Sequence, residues 1–312
     1  MRDACAQKGS ATIMALIVVS LMSICIASLV WQQDFEIRKT RIYKENTQVY
    51  WLQRSLVDVV RLVLRIDLMN SQGVDHLGEI WALPIENSSI EDFLKNQDLP
   101  EELTSVKFSG SIQDAQGLFN ISNLWDAKLS TVNQSAIQTY ANLLEQLGLN
   151  KNLANQTAQY VLGNNQRLQY LEELINIPGY TSDMIKRISQ FAIVLPEPTA
   201  INLNTASVEL LLAMWPSLSQ ADAIKLVQSR LSMPLKSQSD ITTLLSKIQP
   251  NKTLQSDSAV GVKSDYWLAN TNMLIDLRNI NTQTLIKRFT TRQSDNNFTA
   301  VLWSKQKFTQ VK

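Results

Sequence analysis

The feature that most constrains this chain is a run of 24 residues without a charge, Ser10 to Gln33, reading "SATIMALIVVSLMSICIASLVWQQ". At about 1.5 Å per residue, a helix of that length covers the roughly 30 Å of hydrocarbon in a bilayer. The run can span a membrane, and Trp31 ends it where interfacial tryptophans anchor helices at the headgroups. Neither Gly nor Pro occurs between Ser10 and Gln72, so nothing in the sequence breaks one continuous helix of about 60 residues. Past Trp31 the pattern turns amphipathic, with Phe35, Ile42, Val49, Leu52, Leu56, Val59, Val63 and Ile66 recurring at spacings of three, four and seven. One face is built to pack against something.

An ordinary cleaved secretory signal fits less well. Such signals have apolar cores of about 7 to 15 residues before a small-x-small site, whereas this run is longer and its best site, "CIAS", is followed by more apolar residues. A lipidated Cys5 is excluded because "MRDAC" lacks a preceding apolar stretch. Cys5 and Cys25 are the only cysteines, so everything after Trp31 must stand on its own core without disulfides. The 312-residue length leaves about 240 residues for that soluble part, enough for two modest cores or one elaborated domain. A net charge of +1 gives no electrostatic grip on nucleic acid. Charged residues make up 18% of the chain, below the usual level of about 25%, so the surface is polar rather than highly charged and suits contact with other proteins.

After the long helix, a loop from Gly73 to about Pro100 contains "GEIWALPIE", whose Trp81 and Leu83 are expected to tuck onto the helix. "SVKFSGSIQDAQGLFNISNL" reads as a β-hairpin: Val106, Phe108 and Ile112 alternate with polar residues, "DAQG" supplies a turn, and Phe119 and Ile121 resume the alternation. From about Asp126 to Gln249 the texture is helical, through "SAIQTYANLLEQLGL", "NLANQTAQYVL", "RLQYLEELINI", "SDMIKRISQFAIVL", "SVELLLAMW", "QADAIKLVQSRL" and "SDITTLLSKI". "SDYWLANTNMLIDLRNINTQTLIKRF" and "NNFTAVLWSKQKF" then return to β-type alternation. Strands flanking a helical block predict an α+β fold, with a large all-α domain inserted into an antiparallel sheet.

The short polar leader, Gly9 and the spanning helix that continues amphipathically resemble the type IV pilin and pseudopilin superfamily. The resemblance implies peptidase cleavage after Gly9 and N-methylation of the new terminal Ser10. Ser10 departs from the usual Phe or Met, and Met14 stands fifth in the mature chain where most members have glutamate. A carboxylate in hydrocarbon is costly unless paired, and the family pairs it with the terminal ammonium of the subunit above. A subunit with none above has no use for the charge, so Met14 suggests the subunit that caps the fibre. The flanking charges do not decide orientation, because Arg2 and Lys8 precede the span while Arg38, Lys39, Arg41 and Lys44 follow it.

"IQDAQGLFNISNL", "INLNTASVELLLAMWPSLSQADAIKL" and "SDYWLANTNMLIDLR", in that order, are similar to the minor pseudopilin K family of the type II secretion system, also called general secretion pathway protein K. The resemblance implies a leader over 1–9, a transmembrane and spine helix over 10–72, the first part of a pilin-like α/β domain over 73–125, an inserted helical domain over 126–255, and returning strands over 256–312. It implies a non-enzymatic tip subunit of the pseudopilus for export of folded proteins across the outer membrane. Its partners are then I- and J-type minor pseudopilins, the major pseudopilin fibre, a prepilin peptidase and the inner membrane, with secreted proteins or the secretin beyond them. The N-terminus is expected in the cytoplasm and the globular part in the periplasm. A tip pilin of a type IV pilus is the nearest alternative.

Two other function classes fit the sequence less well. "ELINIPGYTSDMIKRI" and "ELLLAMWPSLSQADAIKL" share a helix, Pro-containing turn and helix pattern, and the second resembles the membrane-anchored DNA receptor of natural transformation. Phosphate binding at such a turn wants closely spaced glycines. The first copy has only Gly179 before bulky Tyr180, the second has none, and nearby basic and acidic residues balance. No nucleic acid partner is expected, and the repeats read as packing units. An enzyme lacks candidates: His76, the only histidine, sits in the polar loop "GVDHLGE", and no phosphate loop, metal-spaced set or nucleophile elbow occurs. No cofactor is expected. The K resemblance also implies that calcium can bind, but "VLGNNQRLQYLEELINIPGY" offers only Asn164, Asn165, Glu172 and Glu173, and identifies no ligand set.

Overall fold

The computed structural model describes residues 6–71, 73–89, 107–126, 131–164, 168–248, 259–275, 278–289 and 298–310. Helix α1 runs without interruption over Ala6–Asn70, as the absence of Gly and Pro allows. Its beginning lies in one compact unit, Met1–Leu56, and its end in a second, Val57–Lys312.

In the first unit the apolar side chains of α1 from Ala11 to Tyr43 are exposed, Met14 at 67% and Trp31 at 80%. The helix is long and apolar enough to cross a membrane. Its hydroxyls are compatible with hydrocarbon, since Ser20 Oγ donates to the Leu16 carbonyl at 2.8 Å and Ser23 Oγ to that of Val19 at 2.9 Å. The charges begin after the span as solvated pairs, Arg38 with Asp34 at 2.7 Å and Lys39 with Glu36 at 3.6 Å.

The second unit is built on a five-stranded antiparallel sheet of β1 (Ile85–Ser89), β2 (Lys107–Asp114), β9 (Tyr266–Ile275), β10 (Arg278–Arg288) and β11 (Thr299–Gln310), in the order β1-β2-β9-β10-β11. Between the adjacent strands β2 and β9 the chain leaves the sheet. It forms short strands β3 (Phe119–Asn120), β4 (Trp125–Asp126) and β5 (Thr131–Val132), and helices α2 (Gln134–Gln146), α3 (Asn152–Asn164) and α4 (Ser182–Ile188). Strands β6 (Ala192–Ile193) and β7 (Ile201–Asn202), helices α5 (Val208–Met214), α6 (Gln220–Ser232) and α7 (Gln238–Ile248), and β8 (Val260–Gly261) complete the insertion. The expected α+β fold is what forms.

Local chemistry fixes the helix starts. Asn133, Thr181, Ser207 and Ser219 cap α2, α4, α5 and α6 by accepting backbone N–H groups. Before α7, Ser237 Oγ accepts from Asp240 N while Asp240 Oδ2 accepts from Ser237 N, a reciprocal capping box. The helical insert encloses one core, in which Leu143, Leu144, Leu174, Ile188, Leu210 and Leu211 are wholly buried. One face of the sheet buries Val60 and Leu64 of α1 with Trp81, Trp267 and Ile286. The other face packs Tyr266, Leu268 and Leu285 against Leu118, Ile193 and Leu195 of the insert.

Four local expectations are corrected. The "DAQG" segment does not turn a hairpin: Asp114 Oδ1 accepts from Gln116 N at 2.8 Å and caps a 3₁₀ turn, Ala115–Gly117. The chain then departs, and β3 pairs in parallel with β6. The apolar Phe119 belongs to the insert core, stacked on Tyr140 at 5.3 Å between ring centroids. "LEELIN" forms a 3₁₀ helix, Leu171–Asn176, because its buried residues Leu171, Leu174 and Ile177 recur every three positions. Trp81 is buried as expected, but Leu83 is 67% exposed. In the second unit the buried ridge of α1 is Val60, Leu64 and Asp67, with Val57 and Val63 beside it, whereas Val59 and Ile66 face outward.

Candidate functional site

The segments that gave the sequence its family likeness meet in a polar junction where the sheet, the end of α1 and the helical insert join. Asp67 lies in the last turn of α1, Asp75 and Glu79 in the loop after it, Asp114 at the end of β2, Asn202 in β7, Ser264 just before β9 and Arg288 at the end of β10. All but Glu79 are buried.

Arg288, 4% exposed, is the only cation at the centre of this group among the described residues. Its Nη1 donates to Asp67 Oδ2 at 2.8 Å, and its Nη2 donates to Asp75 Oδ1 and to the Ser264 carbonyl. The guanidinium lies 4.6 Å from the centroid of the Trp267 ring, adding a cation–π contact to the ion pairs. Asp75 Oδ2 accepts from Ser264 N at 2.7 Å. Asp114 Oδ2 accepts from Ser264 Oγ at 2.6 Å, Thr205 Oγ1 at 2.6 Å and Asn202 Nδ2 at 2.9 Å. Asn202 Nδ2 also donates to the Asp75 carbonyl, which ties the insert to the loop after α1.

Burial pushes the Asp67 carboxyl up from 3.8 to about 6, with the nearby Glu79 charge reinforcing that and Arg288 opposing it. Burial likewise raises Glu79, against hydrogen bonds to its carboxylate from His76 N and the Trp81 indole. Asp114 is raised by burial despite its donors. Asp67, Asp75 and Glu79 place carboxylate oxygens within 4.8 Å of one another, a spacing that could suit a cation, but Arg288 already supplies the positive charge. The chemistry of the junction is ion pairing and hydrogen bonding, which lock three parts of the fold together.

Further motif residues extend the lock. Gln116 Nε2 donates to the Ala200 carbonyl and its Oε1 accepts from Asp265 N. Asn120 Nδ2 donates to the Glu197 carbonyl while its Oδ1 accepts from Leu195 N. A Cβ on Gly117 would lie 2.7 Å from Thr205 Oγ1, so only glycine lets these segments approach this closely. Arg230, in α6, donates to the carbonyls of Leu203 and Ala206.

The other sequence-derived candidates lie apart from this junction. Gly9 and Ser10 fall in the first turns of α1, their side chains outside the described residues. Met14 and Trp31 lie on the exposed apolar part of α1. Gly179 has φ +99°, and a Cβ there would lie 3.0 Å from Leu153 Cδ2; Tyr180 is buried with its hydroxyl bonded to those of Tyr140 and Thr157. That turn is committed to its own core. Glu172 accepts from Lys305 Nζ at 2.6 Å and Glu173 from Gln169 N at 3.2 Å, so the two neighbouring carboxylates turn to different partners. Asn165 and the Asn164 side chain lie outside the described residues.

Comparison with known proteins follows the same ground. Residues 201–263, from β7 to the loop that carries Ser264, match the family model of type II secretion system (T2SS), protein K. Type II secretion system protein K of Pseudomonas aeruginosa is 26% identical over 289 residues, covering 82% of this chain and 82% of its own. The protein of the same name from Klebsiella pneumoniae is 24% identical, covering 72% and 75%, and that of Aeromonas hydrophila 22%, covering 84% and 87%. Among solved structures, a chain of the GspK-GspI-GspJ complex from the enterotoxigenic Escherichia coli Type 2 Secretion System superposes with a TM-score of 0.68 at 19% identity. The match covers 86% of this chain and 99% of that one, so the two share a fold. The likeness to protein K extends along most of the chain.

Proposed function

We propose that this chain acts as the K-type minor pseudopilin of a type II secretion system, a non-enzymatic subunit that caps the pseudopilus tip together with I- and J-type minor pseudopilins. The observation that carries the reading is the collinear likeness to protein K across most of the chain. The apolar first part of α1 supports a single-pass inner-membrane anchor with a cytoplasmic N-terminus and a periplasmic globular part. A prepilin peptidase cuts after Gly9 and methylates Ser10. Met14, uncharged where assembling subunits need a carboxylate, fits a position with no subunit above. On this reading the chain adjoins the major pseudopilin fibre and serves the export of folded proteins.

The test is N-terminal sequencing and intact mass of the membrane-extracted protein, expressed with and without a prepilin peptidase. A chain starting at Ser10 and heavier by one methyl, only when the peptidase is present, is the expected result. An uncut Met1, or a cut after Ala27, refutes processing. Co-purification with I- and J-type subunits of the same gene cluster tests the assembly, and recovery only with type IV pilus subunits would move the chain to that machine.

A further inference from the structure

We draw no further inference here: the strongest candidate, the exposed apolar seam of Val59, Leu62, Ile66 and Met69 along the outward face of α1, carries nothing because nothing in the structure shows what covers it.

Discussion

Lowering the pH from about 7.5 to about 5 should stabilise the second unit, contrary to the usual acid sensitivity of proteins rich in ion pairs. A carboxyl with a folded pKa above its unfolded value binds its proton first in the folded state, so stability is gained as pH falls through the folded pKa. For Asp67, about 6 folded against 3.8 unfolded is worth about 3 kcal/mol in full. Only the first pH unit below 6 is crossed by pH 5, leaving about 1.4 kcal/mol. The groups facing Asp67 are Glu79, Asp75 and Arg288, and burial raises Glu79 with the same sign. Asp114, also raised by burial, adds to it. For a domain of this size the Asp67 contribution raises Tm by about 3 to 6 °C. The assay is urea unfolding followed by tryptophan emission at a series of pH values, beside the same series on Asp67→Asn. A midpoint that is flat or falling toward pH 5, or a slope unchanged in Asp67→Asn, would refute the reasoning.

Arg288→Met leaves Asp67 and Asp75 buried without their cation and is expected to cost about 3–5 kcal/mol by urea unfolding, with part of the loss recovered when Asp67→Asn is added. Gly117→Ala drives a methyl into Thr205 and should cost about 1–3 kcal/mol; a neutral result would show that the β2 end and the β7 loop are not in register-tight contact. Leu64→Ala opens a cavity under Trp81 and Trp267 worth about 3–5 kcal/mol. Glu172→Ala removes a mainly exposed ion pair and should change the unfolding midpoint by less than about 1 kcal/mol.

The helical block between strands was legible because the spacing of its apolar residues, as in "SAIQTYANLLEQLGL" and "QADAIKLVQSRL", is a local signal. The polar junction was not. Asp114 meets Asn202 and Ser264 across sequence separations of 88 and 150 residues, and no local pattern marks those pairings. Asp67 reads as a solvated residue on an amphipathic helix, yet it lies on the buried ridge with Val60 and Leu64 because Arg288 reaches it from β10. Family likeness flagged "DAQG", "INLNT" and "SDYW" without saying why those residues are needed. The hairpin misreading has the same root, since Phe119 alternates like a strand residue while its burial partners come from α2.

The placement of the insert between two adjacent strands has a kinetic consequence. Pairing Asp114 with Trp267 in an unfolded chain closes a loop of about 150 residues, which costs about 4 kcal/mol more entropy than a two-residue hairpin. A folded insert already brings its two ends together, so the helices should form before β2 meets β9. Pulse-labelled hydrogen exchange would then show α2 and α5 amides protected ahead of those of β9, and simultaneous protection would contradict the order. The insert is in this sense a template on which the sheet is completed late, and damage to its core should slow the closure of β2 onto β9.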